Sequence, residues 1–423
     1  MSEETSSSKR LLIAACLWLV IAIIIGGTAK IWFFPKMKSK LEKQTSSDTR
    51  YAKGTVACAA DSFSGYAIIR SDDLKNRLKT QGIKWVVQDD QADYAARIKA
   101  LKNGDIQFAV FTIDSFISAG AALSEYPGTI ILIIDESKGA DAIIVSGNAI
   151  SGISDLNDPE TKIVLTPNSP SEFLARVVMS HFSVNVAEDR WIKANGSADV
   201  FKQFHSADNA KRAYVMWEPD VSRAMENAGA KILLDSSKLE GYIVDVLVVQ
   251  RKFLRDKPDI VSSVVESYLR AGYSYGQQPD GMVNLIMKDA KTNDQALKKP
   301  QAEKLVLGMP DKKIKPAIAW KNTMENYAHF GLLTGQEASG LPNLEDMIIN
   351  ISKVLSQTGA ISQNPSAGKE SSLYFDKVLS NLKDKNFHPG RVVSISGIAD
   401  NNFETVRGVE ELMGRICVVL RHV

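Results

Sequence analysis

Cysteine and histidine are scarce in this chain. Cys16, Cys58 and Cys417 lie far apart, and the five histidines are scattered, with no CxxC, CxxH or HExxH spacing. That excludes a disulfide scaffold, though not an oxidising compartment, and no metal site is expected. An excess of charge of one sign is also missing. Lys and Arg total 51 against 49 Asp and Glu, a net charge of +2 over 423 residues. The lysines are dispersed rather than set in a stripe, so no nucleic-acid partner is expected. No GxSxG elbow exists to carry a Ser-His-Asp triad. Internal repeats and long low-complexity tracts are absent as well.

One long apolar run is present. Leu11–Ala29, LLIAACLWLVIAIIIGGTA, carries no charge. About 20 such residues span a hydrocarbon core of roughly 30 Å as a single helix. Ile31, Trp32, Phe33 and Phe34 continue it as an aromatic girdle of interfacial type. Residues 1–10 then form a tail, 11–34 a transmembrane anchor or signal, and 35–52 a linker rich in Lys, Ser and Thr. Lys9 and Arg10 with Gly26–Ala29 satisfy a cleavable signal too, but the apolar core is long for one. An uncleaved single-pass anchor is the expectation. Lys30, Lys36, Lys38, Lys40 and Lys43 outnumber the positive charges on the amino side, and a plain positive-inside count would place the large domain in the cytoplasm.

Beyond Lys53, strand and helix patterns alternate. Apolar runs at Gly54–Ala60, Ile106–Phe111, Thr129–Ile134, Ala142–Val145, Lys162–Leu165, Ala213–Met216, Lys231–Leu234 and Tyr242–Val249 read as strands. Tyr94–Asn103 has helical spacing and stops at Gly104. This alternation implies an α/β fold with βαβ units and mainly parallel sheets. After Arg251 the pattern is mostly helical, over Lys257–Tyr275, Ala317–Phe330 and Leu344–Thr358, and Ser371–Pro389 forms a helix and a stop.

Four segments carry a resemblance. They are Gly104–Phe111 followed by Thr112-Ile113-Asp114-Ser115, Asp155-Leu156 with Lys162–Leu165, the stretch Lys211–Pro219 (KRAYVMWEP), and Gly241–Arg255. In that order and spacing they resemble solute-binding proteins of the nitrate, sulfonate, taurine and thiamine-pyrimidine group of ABC transporters. The resemblance implies a two-lobed clamshell of the type II periplasmic-binding fold with helical carboxyl-terminal additions. Lobe one is expected from residues 54–138 plus 242–360, and lobe two from 139–241. Residues 361–423 form an appendage, expected to be truncated or frame-shifted, with a small independent module as the alternative. Gly139 and Gly241 sit at the two crossings as expected hinges, where valine should alter affinity more than stability.

The implied function is capture of a small molecule between the lobes and delivery to an ABC permease and its ATPase. The soluble domain would lie extracytoplasmically at the inner membrane, against the plain charge count. A sensing receptor with the same clamshell is the alternative reading. A thiamine-pyrimidine-synthase-like enzyme is disfavoured, because Cys58 stands alone where that group carries a cysteine cluster. No cofactor is expected.

Open α/β sheets bind ligands beyond the carboxyl ends of their strands. That rule selects Ser64, Gly65 and Tyr66; Thr112, Asp114 and Ser115; Asp135 and Asp141; Thr166 and Ser171; and Trp217 and Glu218. Ser64 either caps a helix or binds ligand. Ser169 opens a capping box with Glu172, leaving Thr166 and Ser171 for a ligand. Trp217 either stacks on a ligand or fills core. The acidic residues are either a solvated rim or partners for a cation, because a buried carboxylate needs one. With two helix N-termini nearby, a polar ligand that is zwitterionic or amine-bearing is favoured over a bare oxyanion.

Overall fold

The computed structural model describes residues 51–206, 211–333 and 340–391. The expected anchor at 11–34, the linker up to residue 50 and the end of the appendage from 392 lie outside the described residues. Among the described residues no helix is long and apolar enough to cross a membrane.

The strands, in chain order, are β1 Gly54–Ala59, β2 Ile83–Gln88, β3 Phe108–Thr112, β4 Gly128–Ser137, β5 Asp141–Ser146 and β6 Lys162–Leu165, then β7 Trp191–Lys193, β8 Arg212–Trp217, β9 Ala230–Asp235, β10 Val244–Gln250 and β11 Ile318–Trp320. They form a six-stranded sheet ordered β11-β4-β10-β3-β1-β2 and a five-stranded sheet ordered β7-β6-β8-β5-β9. The helices that matter for the cleft are α1 Ala67–Arg70, α2 Tyr94–Asn103, α3 Ile113–Leu123, α4 Pro170–His181, α5 Asp220–Ala224, α6 Pro258–Gly276, α7 Lys299–Leu307, α8 Thr323–His329 and α9 Leu344–Gln357.

The expectation of mainly parallel sheets is corrected. β1 pairs in parallel with β2 and β3, and β6 with β7 and β8, but β10 is antiparallel to β3 and β4, and β5 to β8 and β9. The cause is the path of the chain. It leaves the first sheet along β4 and returns along β10, so the two must run oppositely. Both strands are apolar and buried on each face. Such runs look alike in either direction, because alternation survives only where one face is wet.

Ala317–Phe330 is also corrected from helix. Its first residues form the edge strand β11, with Ile318 opposite Ser137 and Trp320 opposite Asp135. Helix α8 then starts from a reciprocal cap. The Asn322 side chain accepts from the Glu325 N–H at 2.9 Å, and the Glu325 carboxylate accepts from the Asn322 N–H at 2.8 Å. The expected stop of α2 at Gly104 holds, in a left-handed conformation, and Asp93 caps its start by accepting from the Ala96 N–H.

The two crossings lie side by side and are tied together. The Ser236 hydroxyl bonds Ser137 Oγ at 2.7 Å and accepts the Gly139 N–H at 2.7 Å. Glu136 accepts the Gly241 N–H at 2.7 Å. Gly139 has φ +118° and Gly241 φ +76°. Those angles cost any L side chain, and most of all a β-branched one. The expectation that valine changes affinity more than stability is therefore corrected. Gly139→Val and Gly241→Val should each lower stability by about 1–3 kcal/mol, read from chemical denaturation midpoints.

Beyond the crossings, later segments touch both lobes. Helix α9 packs against α3 and α4. Gln301 of α7 donates to the Ser222 carbonyl at 2.9 Å, and Gln295 donates to buried Asp220 at 2.8 Å.

Candidate functional site

The carboxyl ends of β1, β3, β4, β6 and β8 meet where the lobes face each other. The lobes are closed on one another, with the Ser64 N–H donating to the Glu218 carbonyl at 3.2 Å. Asp61, Phe63, Tyr66, Tyr94, Thr112, Asp141, Pro170, Trp217, Ile243 and Asp245 line the remaining cavity, about 10 Å³ in volume. That is the scale of one water molecule. Any larger guest requires the lobes to part.

The first loop follows β1 because Arg70 gathers its carbonyls. The Arg70 guanidinium donates to the Phe63 carbonyl at 2.7 Å and to the Asp61 carbonyl, and is itself paired with Asp289. Ser64–Tyr66 then turns into α1. The Ser64 hydroxyl caps nothing: it is buried and has no partner. Gly65 is required by a close approach. A Cβ there would come within 2.5 Å of Asp135 Oδ2 and 2.4 Å of the Phe63 ring. The Gly65 carbonyl accepts from the Trp320 indole at 2.9 Å. The Tyr66 hydroxyl donates to Asp245.

After β3, Thr112 and Ser115 satisfy each other. The Thr112 hydroxyl donates to Ser115 Oγ at 2.8 Å, and the Ser115 hydroxyl to the Thr112 carbonyl at 3.0 Å. Between them Asp114 is buried in the first turn of α3, with Oδ1 unpartnered. Burial pushes its carboxyl up to about 8, against the pull of the Thr112 hydroxyl and its own backbone N–H, with Asp141 and Glu172 adding repulsion.

In lobe two the expected Ser169–Glu172 capping box is replaced by another arrangement. The Ser169 hydroxyl donates to the Thr166 carbonyl at 2.6 Å and accepts from the Ser171 N–H at 3.1 Å. The Glu172 carboxylate instead accepts from the Asn168 N–H and from Arg176, both at 2.7 Å. The Ser171 hydroxyl is taken up by the Val215 carbonyl at 3.0 Å. The hydroxyl of Thr166 and the indole N–H of Trp217 are buried without partners. The Glu218 carboxylate folds back to accept the Ser222 N–H at 3.0 Å and hydroxyl at 2.8 Å. Burial still pushes it up to about 7.

At the first crossing, burial pushes Asp141 up to about 7, with Glu218 and Asp61 adding repulsion, and its Oδ1 has no partner. Asp135 of β4 lies directly opposite Asp245 of β10. Burial raises both carboxyls, and the neighbouring acids add repulsion.

Six of the twelve residues expected from sequence thus place an unpartnered buried polar atom here: Ser64, Asp114, Asp135, Asp141, Thr166 and Trp217. Buried polar atoms in folded proteins are nearly always paired, so such a concentration at one interface calls for an explanation. Thr112, Ser115, Ser171, Glu218 and Tyr66 make internal bonds, and Gly65 leaves space.

Residues missed at the sequence level include Asp245, Tyr94 and Arg97. Arg97 is 1% exposed and donates to Asp90 at 2.6 Å, to Asp61 at 3.1 Å and to the Val110 carbonyl. Its guanidinium lies 4.4 Å from the Tyr94 ring centroid. Asp245 had a readable signal: a single charge inside the apolar run YIVDVLVV.

No protein-family model matches this chain, and no curated protein matches it in sequence. Solved structures do match in fold. The alkanesulfonate-binding protein of Xanthomonas axonopodis pv. citri, bound to MOPS, is 13% identical with a TM-score of 0.56, covering 73% of this chain and 94% of that one. The periplasmic aliphatic sulphonate-binding protein of Escherichia coli is 16% identical with a TM-score of 0.53, covering 73% and 89%. The ligand-binding component of an ABC-type import system from Staphylococcus aureus, with zinc bound, is 11% identical with a TM-score of 0.56, covering 77% and 98%. The chain has the α/β fold of these periplasmic binding proteins, with two sheets flanked by helices.

Proposed function

We propose that this protein is an extracytoplasmic solute-binding protein that captures a small amine-bearing molecule between its lobes and hands it to an ABC permease. The residues of Leu11–Phe34 would tether it to the inner membrane. The observation that carries the ligand class is the set of buried, unpartnered carboxylate oxygens on Asp114, Asp135 and Asp141 where the lobes meet. A buried carboxylate without a partner is costly, and a cation relieves it. Two of the proteins with this fold bind sulfonates by their descriptions. An anion would need a free cation in the cleft. Arg70 and Arg97 are instead committed to Asp289 and to Asp61 and Asp90. Arg176 is committed to Glu172, Glu188 and the Thr358 carbonyl. The acceptor-seeking Trp217 indole favours a ligand that also carries an acceptor, as a zwitterion does.

A thermal-shift panel of amines, amino acids, sulfonates and pyrimidines tests this reading. Ligand that binds only the folded state raises the melting temperature by mass action. Amines or amino acids should raise it, and Asp114→Asn should weaken that binding by about 2–5 kcal/mol. The same change at Asp73, a half-exposed residue ion-paired with Arg77, should cost less than about 0.5 kcal/mol. Shifts from sulfonates alone would refute the amine assignment.

A further inference from the structure

The acidic cleft contains one arrangement unlike the rest. Asp135 and Asp245 are directly opposed on adjacent central strands and are 0% and 1% exposed. No N–H or hydroxyl reaches either oxygen of Asp135. Its neighbour across the strand pair is the Asp245 carboxyl, and two carboxyls set side by side away from water do not both ionise, so one of them holds a proton. Asp245 lines the cleft cavity, as does Trp217, whose indole N–H is buried and unpartnered.

We propose that Asp135 and Asp245 form the seat for a primary ammonium group of the bound molecule, which takes the place of a proton the two carboxyls otherwise share. The proposal rests on the reading of the cleft as a small-molecule site and adds to it the ligand's charged group and its coupling to protons. The charge balances. One carboxyl and one carboxylate carry −1 before binding. Two carboxylates and one ammonium carry −1 after it, and a single proton passes to the buffer.

Among the described residues the pair has no cation of its own. Lys321, which acts on Asp135 from beyond β11, is committed to Glu136 at 2.8 Å. The other groups facing the pair are acids or phenols. Asp141 approaches from the hinge and Tyr66 from the first loop, its hydroxyl bonded to Asp245. Tyr268 approaches from α6 and Tyr94 from α2. Asp61 faces Tyr66 and Tyr94, and Asp114 faces Tyr94. Burial raises Asp135 and Asp245 alike, as a shared proton requires. A primary ammonium has three donors for four carboxylate oxygens, whereas a quaternary ammonium has none.

The test is calorimetric titration of the purified full-length protein with methylamine, putrescine and glycinamide. Tetramethylammonium, ethanesulfonate and uracil serve as contrasting probes. Each titration is run in two buffers of different ionisation heat at about pH 6 and about pH 7. At least one primary amine should bind with release of close to one proton, and with affinity rising close to tenfold per pH unit below the pair's titration. Asp135→Asn and, independently, Asp245→Asn should remain folded by circular dichroism and bind the amine at least about tenfold more weakly. Amine binding without proton release in the wild type, unchanged affinity in both variants, or equal binding of tetramethylammonium would overturn the proposal. Binding of ethanesulfonate or uracil alone would overturn the seat while leaving the cleft as a binding site. No binding by any probe counts against both.

Discussion

Raising the pH from about 5 to about 8 is expected to destabilise this protein when no amine is bound, by several kcal/mol in all. Burial pushes Asp141 up to about 7 and Asp114 up to about 8. In an unfolded chain each would titrate near 4. Between those values the folded state holds protons that the unfolded state has released. The stability these groups contribute is therefore complete below about pH 4 and is lost as pH rises through 7 and 8. Most buried-carboxylate proteins lose stability in the opposite direction, on acidification. Urea denaturation across this range should show the fall, and Asp141→Asn should flatten it by removing one titrating group. A bound amine should flatten it too, by pairing with the charge that pH creates. A midpoint independent of pH would mean that the cleft opens enough in solution to hydrate its acids.

Arg97→Met is expected to be the most damaging single substitution near the cleft, costing about 3–5 kcal/mol. The guanidinium is enclosed and serves Asp61, Asp90 and the Val110 carbonyl together. Removing it leaves Asp61 with only the Tyr94 hydroxyl at 3.2 Å and the Phe63 N–H at 3.0 Å. Loss of the first loop's position should follow, since Asp61 anchors that loop from the β1 side. Thermal melts of the variant should show the drop, and the double change with Asp61→Asn should recover part of it, because the stranded charge is then gone. A melt equal to wild type would show that water or a side-chain shift relieves Asp61.

Much of this architecture was legible in the residues. Eight of the eleven strands described were visible as apolar runs, while β2, β7 and β11 were not, and the carboxyl end of α2 was visible as Gly104. The loops beyond strand ends were placed by topology alone, and half of the residues chosen there carry the unpaired atoms that define the cleft. What was not legible depends on three-dimensional competition for hydrogen bonds. Glu218 follows a strand end as Asp114 does, yet one carboxylate turns back onto Ser222 while the other keeps one oxygen unpaired. The Ser169 hydroxyl takes the near N–H of Ser171, and the Glu172 carboxylate that a capping box needs is already held by Arg176 and the Asn168 N–H. Strand direction was hidden because β4 and β10 are buried on both faces. The edge strand β11 is only three residues long, too short for any period to show. Asp245 was overlooked as part of a crossing, although a lone acid within seven apolar neighbours is itself a signal that the position has a task.

Acids between the lobes that hold an amine-bearing small molecule should keep it bound through purification. Mass spectrometry of the small molecules released from purified wild-type protein and from its Asp141→Asn variant tests this most directly. Wild type should release an amine-bearing compound at near-stoichiometric amount, depleted at least about tenfold in the variant, as loss of one partner of a buried charge pair implies. Recovery of a sulfonate or another compound without a basic nitrogen, or equal recovery of the amine from both proteins, would contradict it.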